Sequence, residues 1–427
     1  VPMRVLWFTN TFVPGKEQSE TATLRGSGSW MVALYEALLQ EEPDLSLAVA
    51  AVCPTRSLDT YRVGKVDCFV VPMGKERRGR CEARALEACA RIVNEWQPDL
   101  VHIHGTERLY GLLSARRMIV PPVVISLQGL LGPYSEWQHY FGNRSLWQIL
   151  CMHRPIEPFV MRGLIWDFFR YRQGARRERE ILLGNQYFLG RTLWDRAHLT
   201  SINPEATCYS VGEALRAPFW DVRWELEKCR RHRIVVTNLG HPRKGAEILF
   251  AAADILHRAY PAMEVVVVGA ISCRSGYGRY IRREIARRAG YVRMAGPLTA
   301  REMAVELSQA HVFVSPSFIE NSPNAVCEAQ LVGTPVIASY TGGVPSLMED
   351  GKSGLFFPVG DGPCLAARIR DVFADDGMAC RLGDEARSVA LTRHAVKRIT
   401  STLMAVYEDV LHRDGVRSSE EGCGETE

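Results

Sequence analysis

Apolar runs bounded by turn residues alternate along the chain with longer segments in which apolar residues recur at helical spacing. The alternation occurs twice. It predicts strands over 4–10, 46–52, 68–72, 100–104, 123–128 and 187–190, and again over 233–239, 264–269, 291–295, 312–316, 336–339 and 354–358. Helices are predicted between them, notably over 29–39, 83–96, 244–259, 276–289 and 300–309. Strands that alternate with helices in this way are typical of parallel sheets covered by helices on both faces.

The two repeats predict two domains. A chain of 427 residues is too long for one compact core and suits two α/β domains. We expect two Rossmann-like, doubly wound domains that face a cleft, with ligands at the carboxyl ends of the strands. The predicted boundaries are an N-terminal domain over 1–218, a C-terminal domain over 219–392, a helix over 393–413 that packs back on the first domain, and a disordered tail over 414–427.

The segment 134–180 interrupts the α/β pattern inside the first predicted domain. It combines aromatic residues such as Trp137, Trp147 and Phe169 with arginines such as Arg170 and Arg172. Amphipathic helices of this composition can lie on an anionic lipid surface. They can equally form a local core from their aromatic residues and leave the arginines in water. Both interpretations stay open at the level of sequence.

Composition narrows the choice of partners. The formal net charge of +4 is too small to indicate nucleic acid, and no run of apolar residues approaches twenty. The twelve cysteines include no Cys-x-x-Cys pair or Cys/His cluster. The first residues enter a strand pattern directly, without the features of a signal peptide. We therefore expect a cytoplasmic protein with reduced thiols, no metal and no membrane span.

The densest local pattern begins at Ser315 and contains two carboxylates, Glu320 and Glu328. It predicts a strand, a loop that carries Glu320, and a helix with Pro323 in its first turn and Asn321 or Ser322 as its cap. Backbone N–H groups and the positive dipole end at the start of such a helix suit a phosphate group. The first-turn residues Asn324 and Ala325 are therefore expected to contact a diphosphate.

The residues around this pair carry a family resemblance. Glu320 and Glu328 have the spacing Glu-x7-Glu, and they are accompanied by the elements Gly333-Thr334-Pro335-Val336 and Gly342-Gly343-Val344-Pro345. The segment 315–361 resembles the C-terminal domain of glycosyltransferase family four, whose members are retaining enzymes of the GT-B fold. The resemblance implies that Glu320 orients the donor sugar, that Glu328 accepts a hydrogen bond from the ribose, and that the backbone near Pro297 and Leu298 meets the base.

Two further loops agree with the resemblance. Arg243 and Lys244 follow the strand over 233–239 and match the family's Lys-Gly element, in which basic side chains meet the donor diphosphate. Gly26 and Ser27 precede the helix over 29–39 and place small residues where the backbone could approach the pyrophosphate. A solvated basic pair and a plain turn are the ordinary alternatives for these two loops.

Other candidates lie at predicted strand ends of the first domain. Many family members have a histidine that contacts the donor sugar at the position of Gln128. Glutamine can donate a hydrogen bond but cannot titrate, so a proton-transfer role for that histidine does not carry over. His104 and its neighbour His102 are candidates for acceptor binding or for ordinary strand-end histidines. A looser likeness to enzymes of surface-polysaccharide assembly adds Thr192 and Glu213 as cleft candidates.

The resemblance implies a metal-independent, retaining transferase of the hexosyltransferase type that uses no cofactor beyond its donor. The expected donor is a UDP-sugar rather than a GDP-sugar. The acceptor is expected to be a saccharide or lipid-linked glycan in polysaccharide or glycoconjugate biosynthesis, and the enzyme could be peripheral on the inner face of the plasma membrane. Two alternatives stay open: a sugar-nucleotide epimerase of similar fold, and a non-catalytic scaffold that binds a nucleotide sugar.

Overall fold

The computed structural model of the protein describes residues 2–10, 14–15, 29–53, 57–73, 78–152 and 163–424. Its strands, in chain order, are β1 Arg4–Thr9, β2 Ser46–Cys53, β3 Asp59–Val63, β4 Val66–Pro72, β5 Leu100–His104, β6 Val123–Ser126, β7 Tyr187–Gly190, β8 Thr207–Ser210, β9 Arg233–Thr237, β10 Glu264–Val268, β11 Val292–Gly296, β12 Val312–Ser315, β13 Val336–Ser339 and β14 Leu355–Phe357.

The helices are α1 Ser29–Glu41, α2 Arg78–Trp96, α3 Leu112–Ala115, α4 Leu131–Tyr134, α5 Trp137–Phe141, α6 Leu146–Met152, α7 Leu164–Leu183, α8 Leu193–Ile202, α9 Pro218–Asp221, α10 Ala246–Ala259, α11 Gly276–Arg287, α12 Ala300–Ser308, α13 Asn324–Val332, α14 Gly362–Ala374, α15 Asp376–Arg393 and α16 Val396–Gly424. Two short 3₁₀ turns cover Pro242–Lys244 and Val344–Ser346.

The chain forms two compact units. The first comprises Val1–Leu131, Gly174–Ala214 and Ala395–Glu427, and the second comprises Gly132–Gln173 and Leu215–His394. The first holds a sheet in the order β3-β4-β2-β1-β5-β6-β7-β8, and the second a sheet in the order β11-β10-β9-β12-β13-β14. All neighbouring strands run parallel except β3, which is antiparallel to β4. Both units are therefore doubly wound, Rossmann-like α/β domains.

Each sheet is buried on both faces. Along β1, Leu6 and Phe8 belong to one apolar cluster of the first unit, and Val5 and Trp7 belong to another. The second of these clusters includes five residues of α16, namely Ile399, Leu403, Val406, Tyr407 and Val410. Their helical spacing gives α16 one apolar stripe that covers this face of the sheet. The C-terminal helix is thus part of the first unit, although it follows the second unit in the chain.

The helical segment belongs to a different unit from the one expected. The sequence predicts 134–180 as a helical insertion in the N-terminal domain, whereas Gly132–Gln173 clusters with the second unit. Four of its side chains, Tyr140, Phe141, Ile149 and Phe168, form a small core of their own. Helix α5 also contacts the 3₁₀ turn over Pro242–Lys244, and α6 contacts α11. The meeting of apolar faces, rather than chain order, decides where such a segment packs.

The structure also differs from the sequence predictions at two strands and at the C-terminal tail. Strands β3 and β8 lack a long apolar run and were not predicted. The tail expected to be disordered from 414 instead continues α16 to Gly424, since each residue added to an existing helix gains a hydrogen bond without a new nucleation cost. Residues 425–427 lie outside the described part of the chain.

Candidate active site

Three loops of the second unit meet at one edge of its sheet. Strands β9, β12 and β13 are neighbours and run parallel, so their carboxyl ends lie side by side. The loop after β9 carries Arg243 and Lys244, the loop after β12 carries Glu320, and the loop after β13 carries Gly342 and Gly343. The edge of a parallel sheet at its carboxyl ends is where ligands bind in folds of this class.

Glu320 lies at the centre of these loops and is almost completely buried. Its Oε1 accepts a hydrogen bond from the ammonium of Lys244 and another from Ser317 Oγ at 2.9 Å. Burial acts to raise the pKa of the Glu320 carboxyl, but the charge and hydrogen bond of Lys244, together with Arg243 and Ser317, outweigh burial and bring the pKa below its ordinary value. The carboxylate is therefore held ionised in one orientation.

The Gly-Gly element fixes the backbone of Glu320 from the opposite side. The Gly343 N–H donates to the Glu320 carbonyl at 3.0 Å, and Thr341 Oγ1 donates to the Phe318 carbonyl at 2.8 Å. Gly342 has φ +51°, and a Cβ at this position would lie 1.9 Å from the Glu320 carbonyl oxygen. Only glycine fits so close to a neighbouring backbone with positive φ.

The loop after β9 is tied to the loop after β12 in a similar way. Phe318 donates its N–H to the Arg243 carbonyl at 2.7 Å. Gly245 has φ +68°, and a Cβ there would lie 1.9 Å from the Pro316 carbonyl oxygen. His241 Nδ1 accepts from the Arg243 N–H at 3.2 Å and so caps the 3₁₀ turn. These contacts bring Arg243 and Lys244 beside Glu320, as the sequence predicted.

Arg243 is held by aromatic side chains of the helical segment. Its Nη1 donates to Tyr171 Oη at 3.1 Å. Its guanidinium carbon lies 5.5 Å from the ring centre of Tyr134 and 5.8 Å from that of Tyr171. Both distances are within the range of cation–π attraction. Neither tyrosine was predicted as a site residue, because nothing in the sequence pattern relates a helix near 171 to a loop near 243.

Helix α13 begins directly after the Glu320 loop. Pro323 occupies the N-cap position, so the expectation that Asn321 or Ser322 is the N-cap residue was wrong. The backbone of Pro323 is extended, and the helix begins at the next residue, so Asn324 and Ala325 lie in its first turn. Backbone N–H groups in the first turn of a helix suit an anionic ligand. Contact of Asn324 and Ala325 with a diphosphate stays a prediction.

Glu328 pairs with Arg216, which was not among the site residues predicted from the sequence. Its Oε1 accepts from Arg216 Nη2 at 2.6 Å and from Arg216 Nε at 3.1 Å. Burial raises the pKa of the Glu328 carboxyl, and Arg216 opposes that rise. Since both guanidinium contacts use Oε1, the pair orients Oε2 for another donor such as a hydroxyl. Pro297 and Leu298 follow β11, two strands beyond β9, at the same edge of the sheet.

In the first unit, a series of polar residues follows consecutive strands. Glu107 comes after β5, Gln128 after β6, Arg191 after β7 and Glu213 after β8. Glu213 is buried and pairs with Arg191 at 3.1 Å, and Glu107 accepts from Asn10 Nδ2 at 3.0 Å. Burial raises the pKa of Glu107. Glu107 and Arg191 were not singled out from the sequence, although both lie within segments that the analysis covered.

The other site candidates of the first unit, His104 and Thr192, make contacts within the fold of that unit. His104 is fully buried, with its ring 3.9 Å from that of His102 and 4.5 Å from that of Trp7. Burial, followed by the charges nearby, lowers the pKa of His104 well below its ordinary value. Thr192 caps α8 in a reciprocal capping box with Asp195. Gly26 and Ser27 lie outside the described residues.

No group of three or more His, Cys, Asp or Glu side chains within the described part of the chain could hold a metal ion. Among the helices described above, none is both long and apolar enough to cross a membrane.

Comparison with known proteins finds a glycosyltransferase family model on each half of the chain. Residues 230–375 match the family model described as "Glycosyl transferases group 1", and residues 43–151 match "Glycosyl transferase 4-like". A phosphatidyl-myo-inositol mannosyltransferase of Mycolicibacterium smegmatis is 29% identical over 43% of this chain and 48% of its own length. A D-inositol 3-phosphate glycosyltransferase of Streptomyces bingchenggensis is 34% identical over 34% of this chain and 33% of its own. The matched part thus spans less than half of each of these relatives.

Solved structures show the fold over nearly the whole chain. Sucrose-phosphate synthase from Thermosynechococcus elongatus superposes with a TM-score of 0.72 at 18% identity, covering 96% of this chain and 100% of that one. The Anabaena protein HepE in complex with UDP-glucose superposes with a TM-score of 0.67 at 14% identity, covering 95% and 100%. With a glycosyltransferase family model matched on each half and this two-domain architecture, the chain belongs to the glycosyltransferases of the family-four type and has the GT-B fold.

Proposed function

We propose that the protein is a retaining glycosyltransferase that moves a sugar from a nucleoside-diphosphate sugar to a hydroxyl of a saccharide or lipid-linked glycan. The observation that carries the proposal is the buried, ionised Glu320 held by Lys244 beside the first turn of α13. This arrangement joins a group that can orient sugar hydroxyls to two sources of positive charge for a diphosphate. It lies within the residues matched by the group 1 family model.

In the proposed reaction, an acceptor oxygen forms a bond to the anomeric carbon on the face from which the diphosphate departs. The bond from that carbon to the diphosphate oxygen breaks, and the departing diphosphate takes the proton of the acceptor hydroxyl. Negative charge on the diphosphate grows as the bond breaks. Arg243, Lys244 and the N-terminus of α13 stabilise that charge, so that positioning and electrostatics supply most of the rate enhancement.

The same cations support the proposal that transfer does not depend on a divalent metal. Two basic side chains and a helix N-terminus can neutralise the diphosphate in place of an ion. We expect the rate of transfer to be unchanged after extensive treatment with a chelator, and unchanged again on addition of Mg²⁺ or Mn²⁺. A rate restored only by the metal would reject this part of the proposal.

A UDP-sugar is the proposed donor. The Anabaena protein HepE, with which the fold superposes, was solved with UDP-glucose bound. Thermal unfolding in the presence of UDP, GDP and ADP, each with and without an attached hexose, tests the choice of base, because a ligand that binds only the folded state raises the Tm. The largest stabilisation is expected with the UDP compounds.

Transfer itself is tested by incubating the stabilising donor with a panel of acceptors. The panel includes polyisoprenyl-linked saccharides, free oligosaccharides and inositol phosphates, the last because the curated relatives are named for inositol substrates. A new α- or β-linkage that matches the donor's anomeric configuration would support retention. Interconversion of the donor sugar without an acceptor would instead support the epimerase, and tight donor binding without any turnover would support the scaffold.

A peripheral position on the inner face of the plasma membrane completes the proposal. The helical segment exposes Leu146, Trp147 and Leu150 on α6 and Phe169 on α7, with exposed fractions of 53%, 74%, 47% and 55%. Arg170 and Arg172, beside Phe169, are exposed as well. Aromatic and aliphatic side chains flanked by arginine suit the interface of an anionic bilayer. In this proposal the segment combines a local core, formed by its other aromatic residues, with an outer surface that contacts lipid.

A further inference from the structure

The helical segment Gly132–Gln173 contacts the loops of the candidate active site at several points within the second unit. The ring of Tyr140 meets that of His241 edge to face, with 4.7 Å between their centres. A Cβ at Gly142 would lie 2.7 Å from the Phe318 ring. These contacts join α5 and the residue that ends it to the loops after β9 and β12, which carry Arg243 and Glu320.

A second set of contacts anchors the segment at the start of α10. Arg144 Nε donates to Glu247 Oε1 at 3.0 Å, and Tyr277 Oη donates to the same oxygen at 3.0 Å. The Arg144 guanidinium also lies 4.5 Å from the ring centre of Tyr280. Glu247 is in the first turn of α10, which begins immediately after Gly245. The segment is therefore fixed to both ends of the loop that presents Arg243 and Lys244.

The two cations of this loop have different partners. The ammonium of Lys244 pairs with Glu320, whereas Arg243 Nη1 donates to Tyr171 Oη at 3.1 Å. A guanidinium has five N–H donors, so one bond to a phenolic oxygen leaves the others for an anion. The neutral Tyr171 can hold the guanidinium without cancelling its charge, which a carboxylate in its place would do.

We propose that Tyr171 is a positioning residue for the diphosphate: its hydroxyl and ring hold Arg243 in the orientation that stabilises the departing group. This inference rests on the proposed function. A long, flexible arginine loses side-chain freedom whenever it is fixed on a ligand, and a partner that fixes it beforehand removes that cost from the transition state. The helical segment would thus take part in donor chemistry in addition to packing against the domain.

The experiment is a double-mutant cycle on kcat and KM for the donor. Tyr171→Phe keeps the ring and removes the hydroxyl, and Arg243→Lys keeps a charge but loses the planar guanidinium. We expect Tyr171→Phe to lower kcat about tenfold, as small misplacements of catalytic groups do, with KM within about twofold. In a protein that already carries Arg243→Lys, Tyr171→Phe should lower kcat almost no further, because the guanidinium that Tyr171 positions is already absent.

A matched control is Tyr260→Phe. Tyr260 follows the last residue of α10, about 20 Å along the helix from the end that adjoins Arg243, and packs on His232 and Phe373. This variant should keep the kinetics of the wild type. Thermal unfolding of all variants separates a loss of positioning from a loss of folded protein.

Additive effects of the two changes, or an unchanged kcat in Tyr171→Phe, would overturn the role of Tyr171 while leaving the proposed function in place. If the wild type transferred no sugar, the proposed function would fail. The double-mutant cycle would then use the affinities of the four proteins for UDP and for inorganic pyrophosphate, measured by calorimetry. Coupling between positions 171 and 243 in those affinities would still support the positioning role, and its absence would reject it.

Discussion

Lys244 and Glu320, which are 76 residues apart in the chain, form an ion pair in the second unit. The pair keeps a buried carboxylate ionised next to the first turn of a helix, and the backbone of the carboxylate residue is fixed by the Gly-Gly element. One glutamate is thereby oriented from both its side chain and its main chain.

Glu320→Gln is expected to lower kcat by about 100-fold or more, because a neutral amide orients sugar hydroxyls less strongly and leaves Lys244 unpaired. Affinity for the nucleoside diphosphate should stay within a few-fold, since the phosphate-binding groups remain. Steady-state kinetics and calorimetry with UDP measure the two effects. The control is Glu349→Gln, which removes an exposed partner of Lys352. Turnover close to that of the wild type in Glu320→Gln would reject the assigned role.

The two glutamates should affect stability with opposite dependence on pH. The pKa of Glu320 is lowered in the folded protein, so its ionisation stabilises the fold above pH 4.5 and the contribution is lost as the pH falls below that value. The pKa of Glu328 is raised, so its ionisation costs stability as the pH rises above 4.5. Urea unfolding of wild type, Glu320→Gln and Glu328→Gln between pH 3.5 and about 7 tests this. The stability of the wild type relative to each variant should rise with pH for position 320 and fall for position 328. The same slope for both variants would contradict the prediction.

Gly342→Ala should destabilise the fold and impair catalysis together, because its Cβ would meet the Glu320 carbonyl oxygen at 1.9 Å. Gly351 provides a matched control: its φ of +75° also disfavours alanine, but nothing lies within 4 Å of a Cβ there. Gly351→Ala should cost about 1 kcal/mol from the backbone conformation alone, and Gly342→Ala about 3 kcal/mol or more. Equal losses in urea unfolding would show that the loop adjusts without strain.

Arg216→Ala is expected to lower the free energy of unfolding by about 3 kcal/mol, since it leaves the buried Glu328 without its cation. Combining it with Glu328→Gln should recover part of the loss. The exposed pair of Arg223 with Asp384 gives the comparison, and Arg223→Ala should cost less than about 1 kcal/mol. A small loss for Arg216→Ala would mean that water replaces the guanidinium at Glu328.

Charge reversal at Arg170 and Arg172 should weaken binding to vesicles that contain anionic lipid, and Trp147→Ser should weaken it further. Sedimentation with phosphatidylglycerol/phosphatidylcholine vesicles, compared with pure phosphatidylcholine, measures the effect. The control is the double variant Arg370→Glu with Arg381→Glu, which changes the net charge by the same amount at exposed positions on α14 and α15. If both double variants bound equally well, the segment would have no specific role at a membrane.

Sequence patterns located most strands because these are buried apolar runs; β5, β7 and β13 have the predicted bounds. The polar β3, with sequence DTYRV, gave no such signal. The grouping of Glu320, Arg243 and Lys244 was implied by the family resemblance, and all three follow strands that were predicted from apolar runs. Tyr171 and Arg216 were not predicted as site residues, since their partners are 72 and 112 residues away in the chain. The packing of a helical segment depends on side-chain surfaces that sequence order does not reveal.

Helix α7 has its first residues in the second unit and the rest, from Gly174, in the first. Neither unit is therefore a single stretch of chain. A chimera made by joining the first half of one family member to the second half of another near residue 218 would take Tyr171 from one parent and Arg243 from the other. We expect a chimera to acquire the donor specificity of one parent only when residues 132–173 and the donor-binding unit come from that same parent. In such chimeras, inheritance of that stretch would decide activity.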